Sequence, residues 1–390
     1  MSVVGMVCEF NPFHNGHQYL LDTLRRQGAD TIVCAMSGNF VQRGDAAIAD
    51  KAARAEMAIR CGADVVFEIP TPWAMATAET FARGGVELLA MAGCDTIAFG
   101  SECGEIEPLQ AMADVLCDDE IMLTTKRHLD SGVTYAKARQ LAAAERLGEK
   151  AELLEQPNNT LAVEYLKAVR RLEVDIKYKT IQRIGGTHDG APAGEFASAS
   201  YLRELIKSGK PVDSYVPCIV AEILRKAVEQ GNCPIDIMFC ERAILAKLRA
   251  MSEEEFAAYD KGREGLYHRL YDAVRQATTL DEVLTLAKTK RYPMARLRRM
   301  VLSVWLDMRE TPEKVPYLRV LAANGQGRKH LRILQDSGVP VLTKPADVGK
   351  LGLDAEELFR EECARTDLYM LCKQKAMPTG TDWRLTPKMI

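Results

Sequence analysis

Residues 3–26, VVGMVCEFNPFHNGHQYLLDTLRR, decide the fold. An apolar run of strand length ends near Phe10, Pro12 opens a turn, and an amphipathic pattern begins at Asn15 or Gly16. The spacing therefore predicts a strand, a tight turn and a helix whose first residues lie between His14 and His17. Free backbone N–H groups and the helix dipole favour anions at such a terminus. Gly16 between the histidines lets a ligand come close to the backbone, and two imidazoles there can donate to phosphate oxygens. Taken alone, the pair reads sooner as solvated loop histidines than as a site.

Three more apolar segments follow at 30–38 (DTIVCAMSG), 63–70 (ADVVFEIP) and 94–102 (CDTIAFGSE), separated by helical patterns such as 50–62 and 78–93. Strand alternating with helix implies parallel strands joined by right-handed crossovers, with ligands at the carboxyl ends. Unusual residues gather at those ends: Asn11 to His17, Ser37 to Arg43, Pro70 to Trp73 and Gly100 to Glu102. A fifth strand is expected in 175–186, DIKYKTIQRIGG, its end carrying Arg183 with Gly185 and Gly186. The expected fold class is thus α/β, a Rossmann-like open parallel sheet in a catalytic unit over 1–205. From 206 to 390 long helical periodicities rich in Arg and Lys predict a mainly helical, basic unit, with some sheet returning at 317–345.

The 390 residues are 47% hydrophobic and 27% charged, with a net charge of -3, which argues against indiscriminate coating of nucleic acid. A local footprint remains: in KTKRYPMARLRR, Lys288 to Arg299, six of twelve residues are basic and none acidic, as a phosphate-binding strip requires. The GQGRKH turn at 325–330, with Arg319 and Arg332, extends that expectation, and Trp73, Tyr292 and Trp305 are the available base-stacking platforms. Eleven cysteines without a CxxC pair suggest neither a disulfide framework nor a cysteine zinc site, and no metal site is expected of the protein side chains. Glu9, Asn11 and Pro12 interrupt the first apolar stretch, and no run approaches the roughly 20 residues of a spanning helix, so a cytoplasmic protein without membrane contact is expected.

Two motifs in order, HNGH at 14–17 and SASYLRE at 198–204, resemble the HxGH nucleotidyltransferase superfamily. Ala199 stands where that pattern often has a hydroxyl residue, so Ser200 and Arg203 carry over rather than the whole motif. The longer stretches 5–21, 36–70 (with SGNFVQRG and DK), FGSE at 99–102, QPNNTLAVEYLKA at 156–168 and KRYPMARLRRM at 290–300 together resemble the tRNA(Met) cytidine acetate ligase family. The resemblance implies activation of acetate by ATP to acetyl adenylate, then acetylation of the wobble cytidine of elongator tRNA(Met) to N4-acetylcytidine, with AMP and pyrophosphate released. It implies catalytic roles for His14, His17 and Arg203, to which the position of Lys51 after the second strand adds a fourth candidate. It implies an ATP site of Val7, Cys8, Glu9, Phe10, Asn11, Pro12, Phe13, His14, Asn15, Gly16, His17, Gln18, Tyr19 and Leu20, with Gly100, Asn158 or Asn159, Arg183, Ser200 and Arg203. Mg2+ would bridge the phosphates.

The loop after the second strand faces such a pocket, which would let Arg43 or Lys51 hold the acetate carboxylate or a phosphate, beside Gln42, and Ser37 contact ribose or phosphate. A small-molecule adenylyltransferase has less use for the basic helical segment. A noncatalytic RNA-binding scaffold has no use for His14, Gly16, His17 and Arg203. No KMSKS-like loop points to a synthetase.

Overall fold

The computed structural model describes residues 2–184, 192–260 and 265–390, and Gly185 and Gly186 lie outside them. β1 (Val3–Cys8), β2 (Thr31–Ser37), β5 (Val65–Ile69), β6 (Thr96–Ser101) and β7 (Lys177–Gln182) are the five expected strands. They pair in parallel in the order β5-β2-β1-β6-β7. The chain winds outward from β1 in one direction through β2 and β5 and in the other through β6 and β7. The crevice therefore opens at the carboxyl ends of β1 and β6.

Helices cover both faces of β1, β2, β5 and β6, which is why these four read as unbroken apolar runs, whereas the edge strand β7 (KYKTIQ) is polar and half-exposed. Val3, Val33, Val65 and Phe67 pack with the helices Ala78–Met91 and Pro157–Arg171 on one face. Val4, Met6, Cys34 and Met36 pack on the other with α1 (Asn15–Arg26) and α2 (Lys51–Arg60). Gly85 permits the first of these contacts, since a Cβ there would lie 2.6 Å from Val7.

Two short strands in the NFVQRGDA stretch, β3 (Phe40–Val41) and β4 (Asp45–Ala46), form a hairpin that periodicity did not predict. Its turn docks on the helix Met294–Trp305. Gly44 adopts φ 74°, and a Cβ there would lie 2.5 Å from the Arg299 amide nitrogen, so only glycine fits.

The expected division at 205/206 differs from the observed packing. A helical core does run from about Ile235 to Met308, completed by Tyr369, Met370 and Cys372. After it the chain returns to the sheet: β8 (Leu318–Ala323) lies against β5, and β9 (Val341–Leu342) and β10 (Lys388–Met389) pair with β8. LRVLAA is wholly buried, and pairing with β5, β9 and β10 supplies its backbone groups with partners.

Because β8 runs antiparallel to β5, with Val65 opposite Ala323, the GQGRKH turn emerges at the edge opposite the crevice. There Gly327 presses on the Asp64 carbonyl, His330 bonds the Ala92 carbonyl at 2.8 Å, and Asn324 caps the helix Gly325–Asp336. This turn is a structural joint, and Arg319, expected beside it in an RNA footprint, is buried against Asp382. The three aromatic platform candidates are corrected likewise: Trp73, Tyr292 and Trp305 are all buried in cores, where no base can stack.

Among the described residues no helix is long and apolar enough to cross a membrane. All eleven cysteines are free and most are buried.

Candidate active site

A cavity of about 440 Å³ opens where β1 and β6 end. Its floor is the turn of residues 8–16. Phe10 takes φ 46°, a conformation strained for a side chain with a Cβ, where the strand turns towards α1. The buried Arg54 guanidinium holds this turn to its neighbour: it donates to the carbonyls of Glu9 (2.6 Å), Ser37 (3.0 Å), Ala49 (2.9 Å) and Gly38. Nothing in the periodicity of 51–60 distinguishes Arg54 from a surface arginine; four carbonyls from three loops converge on it only after folding.

The two histidines cap α1 reciprocally. His14 is the N-cap and its Nδ1 accepts from the Gly16 amide at 3.1 Å, while His17 Nδ1 accepts from the His14 amide at 3.2 Å. An Nδ1 that accepts a backbone N–H carries no proton, so both neutral rings bear theirs on Nε2. The rings stack with centroids 3.7 Å apart, and a Cβ on residue 16 would lie 3.0 Å from His14 Cε1, which is why that position is glycine. Burial, then the charge of Arg183, pushes His14 down to about 3. His17 is also held well below its usual value, by burial first and then by His14 and Arg183. Both rings are therefore neutral Nε2–H donors at neutral pH.

A pH dependence follows from these low values. In the unfolded chain the same histidines protonate near 6.5, so between that pH and the native values the unfolded state binds more protons. Stability is therefore expected to fall as pH drops below about 6.5, by about 2 kcal/mol for His14 at pH 5. Denaturant midpoints at pH 7 and pH 5 check this, and a His14→Asn variant should show a smaller loss.

Arg203, on the helix Ala199–Lys207, reaches across to the Asn11 carbonyl (2.9 Å) and to Ser200 Oγ (3.1 Å). Arg183, just past β7, is 3.4 Å from Asn158 Oδ1. Among the described residues neither arginine has a carboxylate ion pair, and burial lowers both guanidiniums from their usual value, a cost that a bound anion would offset. Two Nε2–H donors and two such arginines facing one cavity make an anion cradle.

The expected site residues separate cleanly. Val7, Cys8, Glu9, Phe10, Asn11, His14, Gly16, His17, Tyr19, Leu20, Gly100, Asn158, Arg183, Ser200 and Arg203 line the cavity, with Gln42 and Arg43 from the hairpin. Pro12, Phe13, Asn15, Gln18 and Asn159 do not. Phe13 is core, Asn15 ties the Glu195 and Ser214 carbonyls, and Gln18 bonds Asp22 and the Cys61 carbonyl. Asn159 accepts from the amides of Glu102 and Cys103, while Glu102 caps the helix that Pro157 opens by accepting from the amides of Asn158 and Asn159. Ser198 is spent as an N-cap, accepting from the Tyr201 amide. Ser37 is fully buried and does not line the cavity.

Lys51 is the largest correction. Its ammonium lies inside the protein, 2.6 Å from Glu68 Oε1 and 2.9 Å from Asp382 Oδ2, and Arg319 closes the group on both Asp382 oxygens at 2.8 and 2.9 Å. Burial opposes the charge on Asp382, but Lys51 and Arg319 prevail and hold it down to about 2. Opening the first turn of α2, Lys51 points into the gap between β5 and the C-terminal segment, away from the crevice. Sequence reasoning missed the opposite, apolar wall: Phe81, Phe99, Leu161 and Tyr165 come from three separate elements, and although Phe99 lies in FGSE and Leu161 and Tyr165 in the 156–168 stretch, none of the four was singled out.

The basic strip abuts the site through the hairpin. Arg299 donates to the Gln42 carbonyl at 3.2 Å, and burial and then Arg296 push it down to about 10, so it is half-committed to structure. Arg296 stacks 5.3 Å over Tyr292 and lies 3.6 Å from Asp260. Arg298 and Arg43 are within electrostatic reach of Arg203, and Arg298 and Lys207 of Asp45.

The HIGH Nucleotidyl Transferase family model matches residues 1–382. The chain is 35% identical over 397 residues to a tRNA(Met) cytidine acetate ligase of Thermoanaerobacter sp. (strain X514), covering 98% of both chains. It is 36% identical over 385 residues to the ligase of Caldanaerobacter subterraneus subsp. tengcongensis, covering 95% of each. The crystal structure of Thermotoga maritima TmcAL without ligand superposes with a TM-score of 0.95 at 29% identity over 100% of both chains. The form bound with alpha-thio ATP gives 0.93, again at 29% identity and full coverage. With the family model spanning both motifs and these relatives matched end to end, the chain belongs to the HIGH nucleotidyl transferase family, among the tRNA(Met) cytidine acetate ligases.

Proposed function

We propose that this protein activates acetate with ATP and transfers the acetyl group to the wobble cytidine of elongator tRNA(Met), giving N4-acetylcytidine, AMP and pyrophosphate. The observation that carries the reading is the reciprocal histidine cap, which presents two Nε2–H donors to a cavity also lined by Arg183 and Arg203. An acetate oxygen attacks the α phosphorus in line as pyrophosphate leaves, so the protein must position and stabilise charge rather than supply a nucleophile. His14 and His17 hold the α and β phosphate oxygens. Arg203, its fork braced by Asn11 and Ser200, takes the β and γ end. Arg183 and Asn158, beside Gly100 at the end of β6, face the nucleoside end.

Among the described residues no group of three or more His, Cys, Asp or Glu is disposed to hold a metal, which fits a Mg2+ carried on ATP oxygens and water. When bound it neutralises charge on the triphosphate. Gln42 and Arg43 lie on the acceptor side of the cavity, where the docked hairpin leads out to Arg298 and the strip from Lys288, a path suited to an RNA backbone. In this reading Arg43 holds the acetate carboxylate, while Lys51, paired with Glu68 and Asp382, keeps a structural role.

Incubation with ATP, Mg2+, labelled acetate and unmodified elongator tRNA(Met) is expected to yield labelled N4-acetylcytidine with equimolar AMP and pyrophosphate. Pyrophosphate release without labelled tRNA, or labelling of a small molecule instead, would overturn the acceptor assignment.

A further inference from the structure

Glu9 is out of place in an anion cradle. It directly follows β1, is half-buried, and lines the same cavity as His14, His17 and Arg203. Its position is built: the main-chain carbonyl is fixed by Arg54 at 2.6 Å, and Oε1 accepts from the Gln42 amide at 2.8 Å. Among the described residues, Oε2 receives no hydrogen bond. A carboxylate beside a triphosphate and an acetate repels both, so an oriented carboxylate with one oxygen left open has a use other than binding them.

β1 is the strand where the winding reverses, with the nucleoside end on its β6 side and the hairpin on its β2 side. Glu9 therefore stands on the line between the adenylate and the entrance by which an acceptor passes Gln42 and Arg43. Phe81, Phe99 and Tyr165 form the apolar wall nearby, with Tyr165 within electrostatic reach of Glu9.

We propose that Glu9 is the general base of the acetyl-transfer step. This rests on the function given above and assigns a step within it. The exocyclic amine of cytidine is a weak nucleophile, because its lone pair is delocalised into the ring, and it must lose a proton as it attacks. N4 forms a bond to the carbonyl carbon of acetyl adenylate, and the bond from that carbon to the phosphate oxygen breaks. The electron pair leaves with AMP. One N4 proton passes to Glu9 Oε2 and from there to water, restoring the carboxylate. A positioned base of this kind contributes on the order of 10²–10⁴-fold.

Glu9→Gln tests this, since the amide oxygen can still accept from the Gln42 amide while the amide nitrogen cannot take a proton. Two rates are measured: acetate-dependent ATP–pyrophosphate exchange, and single-turnover transfer to elongator tRNA(Met) from pre-formed enzyme-bound acetyl adenylate across pH 5.5–8.5. Transfer is expected to fall at least tenfold more than exchange, and its dependence on a deprotonated group at low pH to disappear. Glu9→Asp should recover part of the transfer rate and the pH dependence.

Equal losses in the two rates, or a raised Mg2+ requirement for exchange, would overturn the assignment in favour of a role in ATP binding. Transfer falling no more than exchange would also overturn it. Failure of the unmodified enzyme to transfer acetyl would instead sink the functional reading, and the Glu9 assignment with it.

Discussion

His17→Ala is expected to lower acetate-dependent ATP–pyrophosphate exchange by on the order of 10²–10³-fold, the usual result of removing one oriented donor from a developing oxyanion. Two interactions disappear together. The Nε2–H donor to the phosphates is lost, and so is the Nδ1 acceptor for the His14 amide, which leaves one end of the reciprocal cap open. His14 keeps its own bond to the Gly16 amide, so its ring retains one anchor but loses a stacked neighbour at 3.7 Å. The cap itself is worth about 1 kcal/mol of stability.

His17→Gln separates the two effects, because a glutamine at the third helical position can accept from the N-cap amide. It should regain the melting temperature lost by the alanine variant without regaining the exchange rate. Exchange within tenfold of the unsubstituted protein in His17→Ala would mean that the phosphates are held elsewhere.

The second large effect falls on stability. Lys51→Met is expected to cost about 3–5 kcal/mol, read as a lower denaturant midpoint, because it leaves buried carboxylates short of a cation. Glu68 loses its 2.6 Å partner, and Asp382 keeps only Arg319 and Thr366. The side chains of Lys51, Glu68 and Asp382 are almost wholly shielded from solvent, so water cannot take over. The consequence reaches beyond α2, since Asp382 and Arg319 anchor the C-terminal segment and β8 beside β5. If Lys51 held acetate, the same substitution would raise the KM for acetate at ordinary stability. The expected result is the reverse: a destabilised protein whose folded fraction keeps its acetate KM.

Local pattern carried much of this protein. Strand-length apolar runs ending in small or polar residues located β1, β2, β5 and β6, because a strand covered on both faces must be apolar throughout, while β7 at the edge is polar and half-exposed. The Pro12 turn and the HNGH spacing placed a helix N-terminus at residue 15, and His14, Gly16, His17, Ser200 and Arg203 all face the cavity. These features depend on neighbours in the chain, and neighbours are what a sequence displays.

Tertiary structure decided the rest, for one physical reason: a side chain's partner over a long separation is absent from its own neighbourhood in sequence. Lys51 reads as an available cation until Asp382, 331 residues away, claims it. Arg54 reads as a surface arginine until loops from β1 and β2 bring it their carbonyls. LRVLAA signals a strand, but its antiparallel pairing with β5, which sends GQGRKH to the far side of the sheet, appears only in the fold. The apolar run and the two histidines determined where an anion could sit; the folding together of distant carbonyls, carboxylates and arginines decided which charged residues remained available to meet it.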